Sequence, residues 1–250
     1  MSIVRLLLFL VLAAAPVGEA SGDGGGAGSA VARTILALYD GDDEPEPRNS
    51  RMLRFAALPL NHLGLVLRFH DLRHGLPSAE ALEDVRGVLT WFDNDLMPDA
   101  EGYAAWATDQ LRRGMRFVVL GDPGVATASR PAASEFFRFF GLRAPLRHRL
   151  VTYDLAVVHQ DPELYGYERP LTPPFKPFPV YHPTGEPGYT VHLAVGSSDG
   201  ATMPLAISGP HGVLVAAGYS HFLTETSGQR KWYVDPFALF SRAFATGGLP

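Results

Sequence analysis

The sequence predicts an α/β protein: a doubly wound, mostly parallel sheet of flavodoxin-like arrangement, with antiparallel strands added late. Three observations carry the prediction. Four short, nearly all-apolar runs, at 34–39 (TILALY), 65–69 (LVLRF), 87–92 (GVLTWF) and 117–120 (FVVL), read as strands buried on both faces. Segments with helical spacing of apolar residues alternate with them, and βαβ alternation implies parallel strands covered by helices. Three later runs, at 189–195, 204–207 and 213–217, are separated by glycine-rich turns and form the late addition.

Taken in order, residues 1–20 combine Arg5, an apolar run from Leu6 to Ala15 and small residues up to Ala20, the pattern of a secretory signal peptide. The apolar run is about half of the ~20 residues that a membrane-spanning helix needs, so cleavage near Ala20 and no lasting membrane anchor are expected. Residues 21–32, with DGGGAGS at 23–29, read as a flexible linker; 33–246 read as one α/β domain and 247–250 as a linker-like end. The first strand stops at Asp40-Gly41-Asp42-Asp43. A helix at 50–63 follows, with Met52, Phe55, Leu58 and Leu63 near helical spacing, Asn49 or Ser50 as its cap and an end near Pro59. The second strand runs into His70-Asp71 and the third into Asp93-Asn94-Asp95. The segment 99–113 places Tyr103, Trp106, Ala107 and Leu111 on one helical face, and Gly114 stops it. The fourth strand leads to Gly121-Asp122. A helix at 132–140 and a strand at 151–158 come next. Residues 162–187 hold eight of the 21 prolines, a density at which no regular element is expected. Tyr165, Tyr167, Phe175, Phe178 and Tyr181 would anchor that stretch as an ordered crossing. A helix at 234–244 closes the chain.

Composition narrows the function. A net charge of −5 and a pI near 6.0 argue against nucleic acid or anionic lipid as partners. With no cysteine there is no disulfide, thiolate metal site or cysteine nucleophile, and export without cysteine suits a bacterial periplasmic protein. The only lysines are Lys176 and Lys231, and no phosphate-binding loop of the G-x-x-x-x-G-K type occurs.

Ligands of open parallel sheets bind beyond the carboxyl ends of the strands, and those ends are where the acids fall. The candidate ligand-binding residues are Asp40, Asp42, Trp91, Asp93, Asp95, Asp122, Tyr219 and His221; the candidate catalytic residues are His221, Ser220 and Asp93. On the functional reading this edge grips sugar hydroxyls or a hard cation. On the plain reading, Asp and Asn after strands make turns and cap helices. No metal site or cofactor is assigned: His70 and His74 have ligand spacing but straddle a strand end and a loop, with Arg73 between them. Gly196-Ser197-Ser198-Asp199-Gly200 fits G-x-S-x-G, yet a strand rather than a helix follows, which points to a hairpin turn. Trp106 belongs to the apolar face of its helix.

The order of elements, with Leu38-Tyr39-Asp40-Gly41, Leu89-Thr90-Trp91-Phe92, Phe117-Val118-Val119-Leu120-Gly121 and Val215-Ala216-Ala217-Gly218-Tyr219-Ser220-His221, resembles the class I glutamine amidotransferase-like fold. The likeness is to non-glutaminase members such as the trehalose-utilisation-like proteins, over most of 33–246. That family's glutaminases carry a cysteine nucleophile after the central strand; here Gly121-Asp122-Pro123-Gly124 stands there, which excludes glutamine hydrolysis. A narrower resemblance, carried by Trp232-Tyr233-Val234-Asp235-Pro236-Phe237 and the stretch to Pro250, is to the Rossmann-like domain that precedes a polysaccharide deacetylase in exported Pel-type exopolysaccharide proteins. It implies a non-catalytic accessory or scaffold domain in extracellular polysaccharide processing, with a polysaccharide or an adjacent deacetylase domain as partner. The alternative is a glycan-directed, metal-assisted hydrolase using the acidic strand ends and His221.

Overall fold

Burial along each strand decides its place in the sheet. Thr34–Tyr39 (β1), Val85–Phe92 (β3), Arg116–Gly121 (β4) and Gly212–Ala216 (β8) are buried along nearly their whole length. Val66–Asp71 (β2) and Ala156–Gln160 (β5) carry exposed positions along theirs, as edge strands do. With Thr190–Gly196 (β6) and Thr202–Gly209 (β7), they form one eight-stranded sheet in the order β2-β1-β3-β4-β8-β7-β6-β5. The first five in that order are parallel neighbours. Their order is the flavodoxin-like one. Beyond β8 every pairing is antiparallel. The computed structural model describes residues 31–94, 97–145, 148–149, 156–166, 178–179, 181–196, 200–216, 221–223 and 230–245, and Ala32–Pro250 form one compact unit.

Helices cover both faces. Successive strand residues point to opposite faces. Trp91 meets Phe55 and Trp232, and Trp232 meets Phe240 of Pro236–Phe244 (α5). The next residue, Phe92, meets Tyr103 of Ala100–Arg112 (α2). Ala57–His62 (α1) packs with α5 on the first face, and Arg130–Arg138 (α3) with α2 on the second. Their starts follow from local chemistry. Asp99 accepts the Gly102 N–H at 2.9 Å, Ser129 caps α3, and Asp235 accepts the Phe237 N–H at 2.8 Å with Pro236 at the first helical position.

Three expectations are corrected. The first helix does not end near Pro59 but continues to His62. Ser50 caps its start as expected, accepting the Leu53 N–H at 3.1 Å, and the turn Met52–Ala56 upstream of Pro59 is widened to a π-helical one. The proline-rich stretch does hold a regular element, Pro162–Tyr165 (α4). Proline at a helix's first position has no N–H to lose, and Asp161 caps the turn through the Glu163 N–H at 2.9 Å. Helix α3 runs from Arg130 to Arg138 rather than over 132–140, because Ser129 starts it. The proposed signal segment and residues 151–155 of the expected fifth strand lie outside the described residues. No helix among the described residues is long and apolar enough to cross a membrane.

Candidate functional site

In this strand order β2 and β3 lie on either side of β1, so the chain leaving β1 and the chain leaving β3 diverge and open a crevice between them. A recess lies there, lined by Asp40, Asp43, Glu44, Trp91, Asp93 and Asn94 among others. It encloses only about 10 Å³, the room of one water, so a larger ligand would sit on its rim.

Arg51 organises the recess. Its Nη2 donates to Asp93 at 2.8 Å and to Asp43 at 3.4 Å, and its Nη1 lies 3.6 Å from Glu44 and donates to the Trp91 carbonyl at 3.4 Å. The Arg51 backbone N–H also donates to Glu44 at 3.0 Å. Burial raises the Glu44 pKa above the usual carboxylate range, against the opposing pull of Arg51. Beside this cluster stands a second. Arg73 donates to Asp71 through Nη2 at 2.6 Å and through Nε at 3.0 Å, and the Tyr39 hydroxyl lies 3.3 Å from the same carboxylate. The Arg73 hydrogen bonds pull the Asp71 pKa down to about 2. Gly41 packs so closely against this pair that a Cβ there would fall on Arg73 Nε and Asp71 Oδ2.

The predicted site residues separate into groups. Asp40, Asp42 and Asp93 do gather at this edge, with Asp40 accepting the Asp42 N–H at 2.9 Å in a turn of the kind the plain reading expects. Trp91 lines the recess but is only 3% exposed, its ring 5.2 Å from that of Trp232 and 6.0 Å from that of Phe55, so it offers no open stacking face. Asp122 is not on the open edge: it is 7% exposed and folds back to accept the Gly124 N–H at 2.8 Å. Gly121 before it takes φ +80°, and the Asp122 N–H donates to the Phe92 carbonyl at 2.9 Å. Asp95, Tyr219 and Ser220 lie outside the described residues. His221 opens a strand, His221–Leu223, where it pairs with Trp232, whose ring touches Trp91. His70 is 2.7 Å from the Gly75 carbonyl through its ring and His74 lies on the next turn; among the described residues no three His, Cys, Asp or Glu are grouped to hold a metal. Ser198 lies outside the described residues, but the strands flanking it pair antiparallel, Gly196 opposite Thr202, which is a hairpin and not a strand-to-helix elbow.

Two groupings escaped the sequence reading. One is the Arg51 hub; the signal was the crowd of acids itself, which needs a counter-ion. The other is Asp161–His192–Ser208, with His192 Nδ1 2.6 Å from Asp161 and Nε2 2.7 Å from Ser208. This is the connectivity of a hydrolytic triad, but not its setting. His192 is wholly buried and Ser208 is 8% exposed, in a strand paired on both sides. The trio also lies toward the end of the sheet where β4 and β8 begin, away from the recess, since Ser208 pairs with Val213. A triad acts at a cleft with free N–H donors beside its serine, whereas Ser208 is enclosed in the middle of the antiparallel sheet.

No family model matches the sequence and no curated protein matches it. Among solved structures, the chain is similar to a ThuA-like protein from Bacteroides uniformis ATCC 8492, at 13% identity over 92% of this chain and 99% of that one, with a TM-score of 0.48. It is also similar to a glutamine amidotransferase from Thermotoga maritima, at 12% identity over 74% of each chain, with a TM-score of 0.40. The strand order and pairing make this a doubly wound, mostly parallel α/β fold of flavodoxin-like arrangement, extended by three antiparallel strands.

Proposed function

We propose that this is a non-catalytic binding domain of an exported protein, an accessory to extracellular polysaccharide processing, that takes a hydroxyl-rich ligand on the rim of the β1/β3 recess. One observation supports it above the others. The carboxylates at the switch point are held as fixed acceptors around buried or half-buried guanidinium groups, Asp43, Glu44 and Asp93 on Arg51 and Asp71 on Arg73. A carboxylate oriented this way keeps lone pairs for hydroxyl donors. The export-type N-terminus and the resemblance to the domain preceding polysaccharide deacetylases supply the setting. The charge balance narrows the ligand. Six carboxylates (Asp40, Asp42, Asp43, Glu44, Asp71, Asp93) stand against Arg51 and Arg73, so neutral or amine-bearing glycans are favoured over uronic acids.

The test is thermal stability and calorimetric binding of the purified protein with neutral, amine-bearing and acidic oligosaccharides. A rise in melting temperature with the first two, lost in Asp93→Ala/Asp43→Ala, is expected. No response to any of them would refute the reading. Release of a cleaved product that disappears in His221→Ala would replace it with the hydrolase alternative.

A further inference from the structure

Asp161, His192 and Ser208 come from three elements: the residue before α4, β6 and β7. With Asp161 ionised, the neutral imidazole carries its proton on Nδ1 toward Asp161 at 2.6 Å, and Nε2 accepts from the Ser208 hydroxyl at 2.7 Å. Asp161 is at the same time the cap of α4: its side chain accepts the Glu163 N–H at 2.9 Å and its carbonyl the Tyr165 N–H at 2.8 Å, while its own N–H donates to the His192 carbonyl at 2.8 Å. Four residues are far too few for a self-sustaining helix, so α4 persists through its anchors. These are the buried Leu164 and Tyr165, the pair from Arg242 of α5 to Glu163 at 2.7 Å, and the Leu164 carbonyl, which accepts the Asp235 N–H at 2.7 Å where α5 begins.

We propose that Asp161–His192–Ser208 is a proton-operated latch that fastens α4, and through it the start of α5, to the antiparallel half of the sheet while His192 is neutral. The charged and titratable groups facing the ring are Asp161, Arg242 of α5 and His159 of β5, with Glu163 reached through Arg242. Burial lowers the His192 pKa below its ordinary 6.5, and Arg242 and His159 push the same way; Asp161 alone opposes them. Burial would also raise the pKa of Asp161, but the His192 and Glu163 hydrogen bonds outweigh it and keep it ionised below the usual range. When α4 lifts, the ring meets water and regains its ordinary affinity for a proton, so opening takes one up. The closed state therefore keeps its full margin above pH 6.5 and loses it as the pH falls below.

The opening equilibrium rises over the interval from roughly pH 7.5 to 5.5 by at most about tenfold, the limit for a ring that titrates near 6.5 when open and takes up no proton when closed. Hydrogen exchange of the full chain reads this directly. Protection of the Leu164 and Tyr165 amides, corrected for the intrinsic pH dependence of exchange, is expected to fall over that interval by up to about tenfold, while Val118 in β4 stays unchanged. His192→Gln offers an N–H to Asp161 and a carbonyl to Ser208 but does not titrate, and is expected to keep α4 protected with no pH dependence. Ser208→Ala retains the ring and should keep the slope at lower protection. A pH-independent α4 in the wild type, or the same slope in His192→Gln, would overturn the latch. So would covalent capture of Ser208 by a fluorophosphonate, which would make it a reactive nucleophile instead.

Discussion

Replacing Arg51 by methionine tests whether the recess is held by one cation. Asp93 is 66% exposed and Asp43 35% exposed, so their pairs with Arg51 contribute only ~0.2–1 kcal/mol each. Glu44 differs. Its side chain is 10% exposed, and losing the guanidinium leaves a mostly buried carboxylate short of charge compensation, a loss of about 1.5–2 kcal/mol. The total is ~2–4 kcal/mol, and for a domain of this size it lowers the melting temperature by roughly 4–16 °C. The sign with pH is equally specific. Glu44 has a raised pKa in the folded protein, so its contribution is full below the unfolded value of 4.5 and lost as the pH rises through the folded one. Removing Arg51 raises that pKa further, so the deficit of Arg51→Met should shrink as the pH is lowered from about 7 to about 5. Glu44→Gln in the same background removes the uncompensated charge while still accepting the residue-51 N–H, and should recover ~1 kcal/mol. Thermal denaturation of the wild type, both single variants and the double variant reads all of this as a cycle. An Arg51→Met protein that melts with the wild type, or one that Glu44→Gln fails to rescue, would refute the hub.

Two further outcomes concern the neighbouring cluster. Asp71 has a depressed pKa of about 2, so its contribution is present above its unfolded value of 3.8 and lost as the pH falls through the folded value. Asp71→Asn should remove that part of the acid limb of the stability curve and lower stability at neutral pH by about 1–2 kcal/mol, the figure being reduced because Arg73 is half in solvent. Denaturant unfolding between pH 2 and 7 checks it, and an unchanged acid limb would count against the pair. Gly41→Ala drives a methyl group onto that ion pair and should destabilise by ~1–3 kcal/mol while raising the Asp71 pKa, seen as an acid transition at higher pH. A neutral Gly41→Ala would mean that the two loops part easily.

The central strands were legible because burial on both faces leaves nothing but apolar residues: TILALY at 34–39 is recovered to the residue as β1. The acidic edge was legible too, since a parallel sheet puts its strand ends together and the acids follow four of them in sequence. What holds that edge was not. Arg51 lies 42 residues from Asp93 and opens a helix between Arg48 and Arg54, so nothing local sets it apart from its basic neighbours. His192 was missed for the same reason: its partners are 31 and 16 residues away, and its strand is otherwise an apolar alternation. The short helix α4 was overlooked because proline was weighed only as a breaker, whereas at the first helical position it is a starter. Trp91 and Asp122 sit at strand ends as expected, but whether a strand-end side chain faces solvent or folds under the next loop depends on packing that no local pattern encodes.

The turn after β4 sets a limit on what this fold can become. A serine or cysteine in place of Gly121 would set a nucleophile at the end of the central strand. That substitution is closed. Gly121 holds φ +80°, which L side chains rarely adopt, and a Cβ there would land on the Phe92 carbonyl, the oxygen that accepts the Asp122 N–H. A side chain at 121 would need the β3–β4 bridge between Phe92 and Asp122 to be rebuilt at the same time. A nucleophile at this turn therefore requires the turn itself to be remade, while the loops beyond it can change without touching the bridge.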